Sequence, residues 1–376
     1  VDFSLSEGQE LLKRAARDFL EKECPKRLVR EMEEDDVGYS AQLWRQMAEL
    51  GWMALPFPES YEGNEGGFLD LVVLLEEMGR ACLPSPFVPT VVLGGLTILD
   101  MGSEEQKAEF LPRIASGDMF CTLALVEPSD SYSPAGISCQ AVADGDGYLL
   151  SGTKLFVPDA HVADYLIVGA RTGNGEAEPG VTLFWVEAKS AGIDCTPLKT
   201  IAGDKQFEVK LDGVKVPRES VIGKAGRAWG GVARILERAT VAKCAEMAGG
   251  AQRVLDMTIS YAKERNQFGR PIGSFQAIQH YCANMATDVD ASCFNTYKAA
   301  WMIEEGLPCV KEVAIAKAWC SEAYHRVTAS SHQIHGAIGW TKDMDLELYT
   351  RRAKTAELAF GDADFHREKI AQELGL

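Results

Sequence analysis

The sequence predicts an α+β chain in three blocks: a helical N-terminal domain over residues 1–118, a small antiparallel β-barrel over 119–225 and a four-helix bundle over 226–376. Three observations predict it. Apolar residues recur at helical spacing through the first third. Short β-branched and aromatic runs, separated by turn residues, fill the middle. Long helical stretches without strand signals follow Gly226. Helices, then strands, then helices is an α+β order, and 376 residues exceed a single ordinary core.

Ser6 can cap a first helix starting at Glu7, with Leu11, Leu12, Ala15, Ala16, Phe19 and Leu20 on its apolar stripe. Ser40 opens a second, carrying Leu43, Trp44, Met47 and Leu50, and Gly51 ends it. A proline-rich loop around Pro56–Gly63 follows. Helices are then expected over Phe68–Met78, stopping at Gly79, and over Glu104–Ala115. In the middle block, Cys121–Val126, Tyr148–Leu150, Asp164–Ala170 and Val181–Val186 read as strands. Turns are expected at Asp144–Gly147, Gly173-Asn174-Gly175 and Asp212-Gly213. The last block predicts helices over Trp229–Asn266, Ser274–Glu305, Val310–His335 and Leu346–Leu358, lengths suited to an antiparallel bundle.

Composition narrows the function. A net charge of −17 argues against attraction to nucleic acid or an anionic membrane, so a phosphate-bearing ligand would need local arginines and backbone amides. No run nears the roughly 18 apolar residues of a membrane span, and Val1–Glu7 has no basic, then apolar, leader pattern. Ten cysteines without a C-x-x-C pair fit buried thiols in a reducing cytoplasm better than a zinc site or disulfide framework. His332 and His335 lack a third ligand at a recognisable offset, and no metal is expected.

Several segments carry chemistry in combination. Arg265-Asn266-Gln267-Phe268-Gly269-Arg270-Pro271-Ile272, followed by Phe275-Gln276, reads as a helix stop with an arginine fork and an aromatic face beside it. Gln333-Ile334-His335-Gly336-Ala337-Ile338-Gly339-Trp340 lies about seventy residues on, then Phe360-Gly361-Asp362. Upstream are Leu123-Ala124-Leu125-Val126-Glu127-Pro128 and Gly152-Thr153-Lys154-Leu155-Phe156-Val157-Pro158-Asp159. Their order and spacing over nearly the whole chain resemble the acyl-CoA dehydrogenase family of flavoproteins. Single motifs have plainer readings: Phe156 alone would be a core strand residue.

The resemblance implies FAD as cofactor, an acyl-CoA substrate and reoxidation by an electron-transfer flavoprotein. It implies a homotetramer or a heteromer of related chains, in which the Arg265 and Gln333 segments come from neighbouring subunits. It places Leu125, Val126, Phe156, Val157 and Pro158 on the flavin ring. Arg265, Gln267, Phe268, Gln276, Gln333, Gly336 and Ala337 fall elsewhere on the cofactor, with Asp362 and Asp364 towards it. The chain departs from the pattern in places. Val126 stands for a threonine, Pro158 for a hydroxyl residue, Ala337 for a second glycine, and Ser131-Tyr132-Ser133-Pro134 for a Gly-Ser-Asp stretch.

The largest departure concerns the base. Family chemistry takes an α-proton from a thioester while hydride leaves the β-carbon, which calls for a carboxylate and a donor to the carbonyl. Phe360 stands where many members keep a glutamate; its backbone N–H still offers the polarising contact. Three replacements can be placed, beside an N-terminal carboxylate at no assigned position and the absence of any base in this chain. Asp362 is nearest, unless it is a solvated turn residue like Asp364. Glu237 lies about 200° around the helix from Ala239, the position used by some relatives. Glu246 shares nearly the face of Ala239 but sits roughly 10 Å along the axis, unless it simply pairs with Lys243. The leading expectation is a dehydrogenase forming a Cα=Cβ bond, with a bulky or cyclic acyl group suggested by Phe-Gly-Asp and the Gly79–Phe87 segment. The rivals are a non-oxidative, desulfinase- or lyase-like flavoprotein and a base-less or silent subunit of a heteromer.

Overall fold

A computed structural model describes residues 5–129, 132–172 and 180–376. Residues 1–4, Ser131 and the Gly173-Asn174-Gly175 turn, on which parts of the sequence reading fell, lie outside them. The first block holds α1 (Glu7–Glu23), α2 (Lys26–Glu34), α3 (Ala41–Glu49), α4 (Phe68–Ala81), α5 (Leu96–Met101) and α6 (Glu104–Ala115). Eight strands follow: β1 (Cys121–Ala124), β2 (Gln140–Asp144), β3 (Gly147–Pro158) and β4 (Tyr165–Arg171), then β5 (Val181–Glu187), β6 (Ile193–Leu198), β7 (Gln206–Pro217) and β8 (Val221–Ile222). The last block is α7 (Trp229–Glu264), a short hairpin of β9 (Asn266–Gln267) and β10 (Arg270–Pro271), α8 (Gln276–Glu304), α9 (Val310–His335), α10 (Leu346–Leu358) and α11 (Ala363–Glu373).

By packing, the chain forms two compact units. One combines residues 1–31, 67–83 and 240–376; the other combines 32–66 and 84–239. Each is built from local signals. In the first, Ser6 caps α1 by accepting the Gln9 amide at 3.2 Å, and Gln9 Oε1 accepts the Ser6 amide at 2.9 Å, a capping box. In the second, Ser103 and Gln106 repeat the device at α6, and Ser40 caps α3.

Gly79 does not stop α4, which runs on to Ala81. Its role is close approach: a Cβ there would lie 2.1 Å from the Glu246 carbonyl oxygen, and one at Gly249 would lie 1.8 Å from that of Glu76. Helices α4 and α7 therefore touch backbone to backbone, which only glycine permits. A buried ionic layer sits beside this crossing. Lys13 and the Tyr297 hydroxyl both reach Glu76, and Arg17 grips Glu77 at 2.6 and 2.9 Å.

The central domain is a sheet in the order β6-β7-β3-β2-β4-β5-β8, with β1 added parallel to β4. It is open, so the expected closed barrel is corrected: β6 and the two-residue β8 are free ends of the order. Most pairs are antiparallel, and Leu150, Val157, Leu166, Val168, Phe184 and Val209 form the core on one face. Asp212-Gly213 is not a turn between strands either. It lies within β7, where Gly213 (φ +63°) is the extra residue of a bulge opposite Ser151.

Candidate functional site

In the sheet unit, the segments that resemble a flavin cradle meet at a second bulge. Lys154 pairs with Val209 and Val157 with Phe207, leaving Leu155 and Phe156 opposite the single residue Glu208. Phe156 adopts φ +52° and is 55% exposed, while its neighbour Val157 is wholly buried. Left-handed backbone is costly for an aromatic residue, and bulges re-aim side chains beside functional sites. The Leu155 amide donates to the Val126 carbonyl at 2.8 Å, which ties the bulge to the 125–127 segment. Leu125 is buried; Val126 and Pro158 are half-buried.

Beneath this cradle lies a buried ion pair that the sequence reading missed. Lys154 Nζ, at zero exposure, donates to Glu127 Oε1 at 2.6 Å and to the Leu125 carbonyl at 3.3 Å. Glu127 also accepts the Ser138 amide at 2.8 Å, the Ser138 hydroxyl and the Cys139 amide at 3.1 Å. Burial pushes the Glu127 carboxyl up, but Lys154 and these donors outweigh it and hold it below the usual carboxylate range.

In the bundle unit, Arg265, Gln267 and Gln276 are exposed around the β9–β10 hairpin. Phe268 at its tip has φ +54° and is 92% exposed. The Arg270 guanidinium lies 4.2 Å over the Phe275 ring and braces the hairpin. At the end of α9, Gln333, Gly336 (φ +66°) and Ala337 are exposed. His332 and His335 support this end from below. His332 stacks on Trp340 at 3.9 Å and bonds Thr350 at 2.8 Å; His335 stacks on Tyr261 at 4.3 Å. Burial lowers both imidazole pKa values. No cluster of three His, Cys, Asp or Glu suited to a metal occurs among the described residues.

The Phe360 turn is the third feature. Phe360 has φ +59° and Gly361 φ +93°, and Asp362 begins α11 as its N-cap, accepting the Phe365 amide at 2.9 Å. Asp364 is exposed and pairs with Arg367. Two buried groups that the sequence reading did not single out grip the turn. Lys317 Nζ donates to the carbonyls of Glu357 and Gly361, each at 2.8 Å, and His366 Nε2–H donates to that of Phe360 at 2.9 Å. A signal for Lys317 existed: Val313, Lys317, Cys320 and Tyr324 share one helical face, and all are buried. Of the other carboxylates, Glu246 pairs with Lys243 at 2.5 Å, as its plainer reading held. Glu237 is half-buried, and Ala239 is completely buried.

The residues fit FAD on these observations. A strained bulge turns an aromatic face outward for a planar ring, and an exposed hairpin offers guanidinium and aromatic surface for the polar remainder.

Family models of the acyl-CoA dehydrogenase N-terminal, middle and C-terminal domains match residues 6–118, 122–214 and 229–375. A probable acyl-CoA dehydrogenase of Bacillus subtilis is 32% identical, with both chains covered in full. A subunit of the caffeyl-CoA reductase–Etf complex of Acetobacterium woodii is 30% identical over 97% of this chain and 98% of its own. The solved structure of butyryl-CoA dehydrogenase from Megasphaera elsdenii superposes with a TM-score of 0.93 at 28% identity, covering all of both chains.

Proposed function

Because the chain belongs to the acyl-CoA dehydrogenase family of FAD-dependent enzymes, we propose that it forms a Cα=Cβ bond in a bulky or cyclic acyl-CoA, with the Phe360–Asp362 turn at the reacting carbons. The geometry of that turn carries the reading. Its backbone is strained, anchored from two sides, and ends in a carboxylate. Bound FAD supplies the acceptor for the hydride from the β-carbon.

The chain's own residues do the rest. Phe156, with Leu125, Val126, Val157 and Pro158, presents the cradle for the flavin ring. Arg265, Gln267, Phe268 and Gln276, and separately Gln333, Gly336 and Ala337, take the remainder of the cofactor. The Phe360 N–H polarises the thioester carbonyl as enolate character develops. Asp362 accepts the α-proton: its Oδ1 is committed to the Phe365 amide, which leaves Oδ2. Glu246 is a weaker candidate, because its carboxylate is already engaged by Lys243.

Electrons pass to an electron-transfer flavoprotein in this proposal, supported by the Etf complex of the Acetobacterium relative. Assembly as a homotetramer or a heteromer of related chains is part of the same proposal. Domain limits of 1–118, 119–225 and 226–376 and a cytoplasmic location belong to the same reading; all ten cysteines are free thiols. No helix among the described residues is long and apolar enough to cross a membrane.

The test is anaerobic titration of the purified flavoprotein with butyryl-, cyclohexanecarbonyl-, phenylpropionyl- and glutaryl-CoA. Bleaching by the cyclic or aryl thioester at the lowest concentration is expected; bleaching by butyryl-CoA alone would refute the bulky substrate. The base is tested with Asp362→Asn. Asparagine caps a helix as well as aspartate, so the fold survives and only basicity is lost. A loss of about 100-fold or more in the bleaching rate is expected. An active D362N protein would return the role to Glu237, Glu246 or a partner chain.

A further inference from the structure

We propose that Lys317 and His366 are positioning residues, a buried clamp that fixes the Phe360 amide in the orientation needed to polarise a thioester carbonyl. The inference rests on the dehydrogenase reading of that turn. Lys317 has zero exposure, and its ammonium meets three acceptors: the Glu357 and Gly361 carbonyls at 2.8 Å and the Ser321 hydroxyl at 3.2 Å. Three N–H donors and three oxygens close its valence. Glu357 lies in the last turn of α10, where carbonyls lack partners within the helix. One side chain therefore joins the end of α10 to the far side of the turn.

His366, 2% exposed, holds the other carbonyl, that of Phe360. A carbonyl only accepts, so Nε2 carries the proton. Upstream, the Ala359 amide donates to Thr355 at 3.1 Å. The Phe360 N–H thus sits in a peptide fixed on both sides, in a left-handed conformation that an aromatic residue would leave if released. Satisfying helix-end carbonyls does not require a cation, and burying an ammonium without a carboxylate partner is expensive. Strain and cost in one place point to function.

The clamp carries a pH signature. Burial draws Lys317 down to about 8. The groups facing it are Lys243 and Cys244 on α7, Cys320 on its own helix, Glu357 on α10 and His366 on α11. Burial, then Lys317, draws His366 to about 3, so His366 is neutral throughout the working range. Above pH 8 the neutral amine keeps only two donors for three acceptors, and one anchor is lost. Polarisation matters in the transition state, so the rate should fall on this limb while KM changes little.

The experiment uses the FAD-loaded protein, the four thioesters above, and the variants Lys317→Met, Lys317→Arg, His366→Leu and His366→Gln. Three readouts are needed: amide hydrogen exchange of residues 359–362 without ligand, exchange of the thioester α-proton with deuterated solvent, and the flavin-bleaching rate from pH 6.5 to 9.5. K317M should release protection at 359–362 and slow both α-exchange and bleaching by about 100-fold, with KM within threefold. K317R, charged at every pH used, should retain protection and lose the basic limb near pH 8. H366L should behave as K317M, and H366Q should recover part of the loss. Unchanged α-exchange in K317M, or an unaltered basic limb in K317R, overturns the clamp. Should K317M not fold, K317R and the His366 pair decide alone. A wild-type protein bleached by no thioester defeats the dehydrogenase reading and the clamp's catalytic role together; a wild type that turns over beside an equally active K317M defeats the clamp alone.

Discussion

Two lysines among the described residues are completely buried, Lys154 in the sheet unit and Lys317 in the bundle unit, and they solve burial in opposite ways. Lys154 faces a carboxylate, and Glu127 is in turn saturated by Ser138 and Cys139. Lys317 hydrogen-bonds only neutral oxygens, and the Glu357 carboxylate acts on it without contact. A compensated pair is a fixed part of the scaffold: desolvation is offset by attraction as long as both partners stay. A buried cation without a contacting carboxylate is held mainly by hydrogen bonds, and its pKa falls towards the range where enzymes work. The first sits under the Phe156 bulge, and the second beside the Phe360 turn, whose amide is proposed to polarise the thioester.

Breaking the compensated pair should have the largest effect. Lys154→Met strands the Glu127 charge in the sheet core, and loss of about 3–5 kcal/mol is expected in urea unfolding. The double variant K154M/E127Q should recover part of it, because no charge is then left unpaired. Glu127 carries a depressed pKa, so its contribution is present above the unfolded carboxylate value and is lost as pH falls through the folded value. The acid limb of stability should therefore flatten in K154M. A K154M loss below about 1 kcal/mol would mean the pair is solvated and the contrast with Lys317 is false.

Lys317 gives a smaller effect of opposite sign. Its folded pKa lies below its ordinary 10.5, so between about pH 8 and 10.5 the unfolded chain holds a proton that the folded one has released. Stability from this group then rises with pH, by up to about 3 kcal/mol across that window. The bleaching rate is expected to fall over the same range, since the turn loses an anchor. Stability curves of wild type and K317M should diverge above pH 8; parallel curves would show that Lys317 titrates normally.

What the sequence made legible follows the same division between local and tertiary causes. Helices α6, α9 and α10 span the residues expected for them, because the helical pattern that marks them acts within a few residues. Gly79 and Gly213 were misread as stops because a glycine needed for backbone contact or for a bulge looks, in sequence, like one that ends an element. The short α2 and α11 helices and the largely exposed strand β6 were missed, and so was β7, whose alternating Phe207, Val209 and Leu211 run into the Asp212-Gly213 bulge that reads as a turn. Among the proposed site residues, motif order marked Phe156, Phe268, Gln333 and Phe360, but not the residues that support them. Glu127 stood in a quoted motif without a role, and Lys317 sat at a core position of its helix face. A charged residue on an apolar stripe is the signal to look for beneath a functional loop.

The smallest effect sharpens the comparison from the backbone. Phe156 and Phe360 both hold left-handed φ, at +52° and +59°, each beside one of the buried lysines. Replacing Phe360 by alanine removes the ring but keeps a Cβ in that conformation; glycine removes both. Phe360→Gly should therefore be more stable than Phe360→Ala by about 1 kcal/mol, since the left-handed penalty disappears and the unfolded chain gains only a little entropy. The same pair at Phe156 should show a similar gap. Catalysis should not follow stability at position 360. Glycine lets the turn sample other conformations, so F360G should bleach its flavin more slowly than F360A despite the firmer fold. Equal rates would mean that the clamp fixes the amide whatever residue carries it.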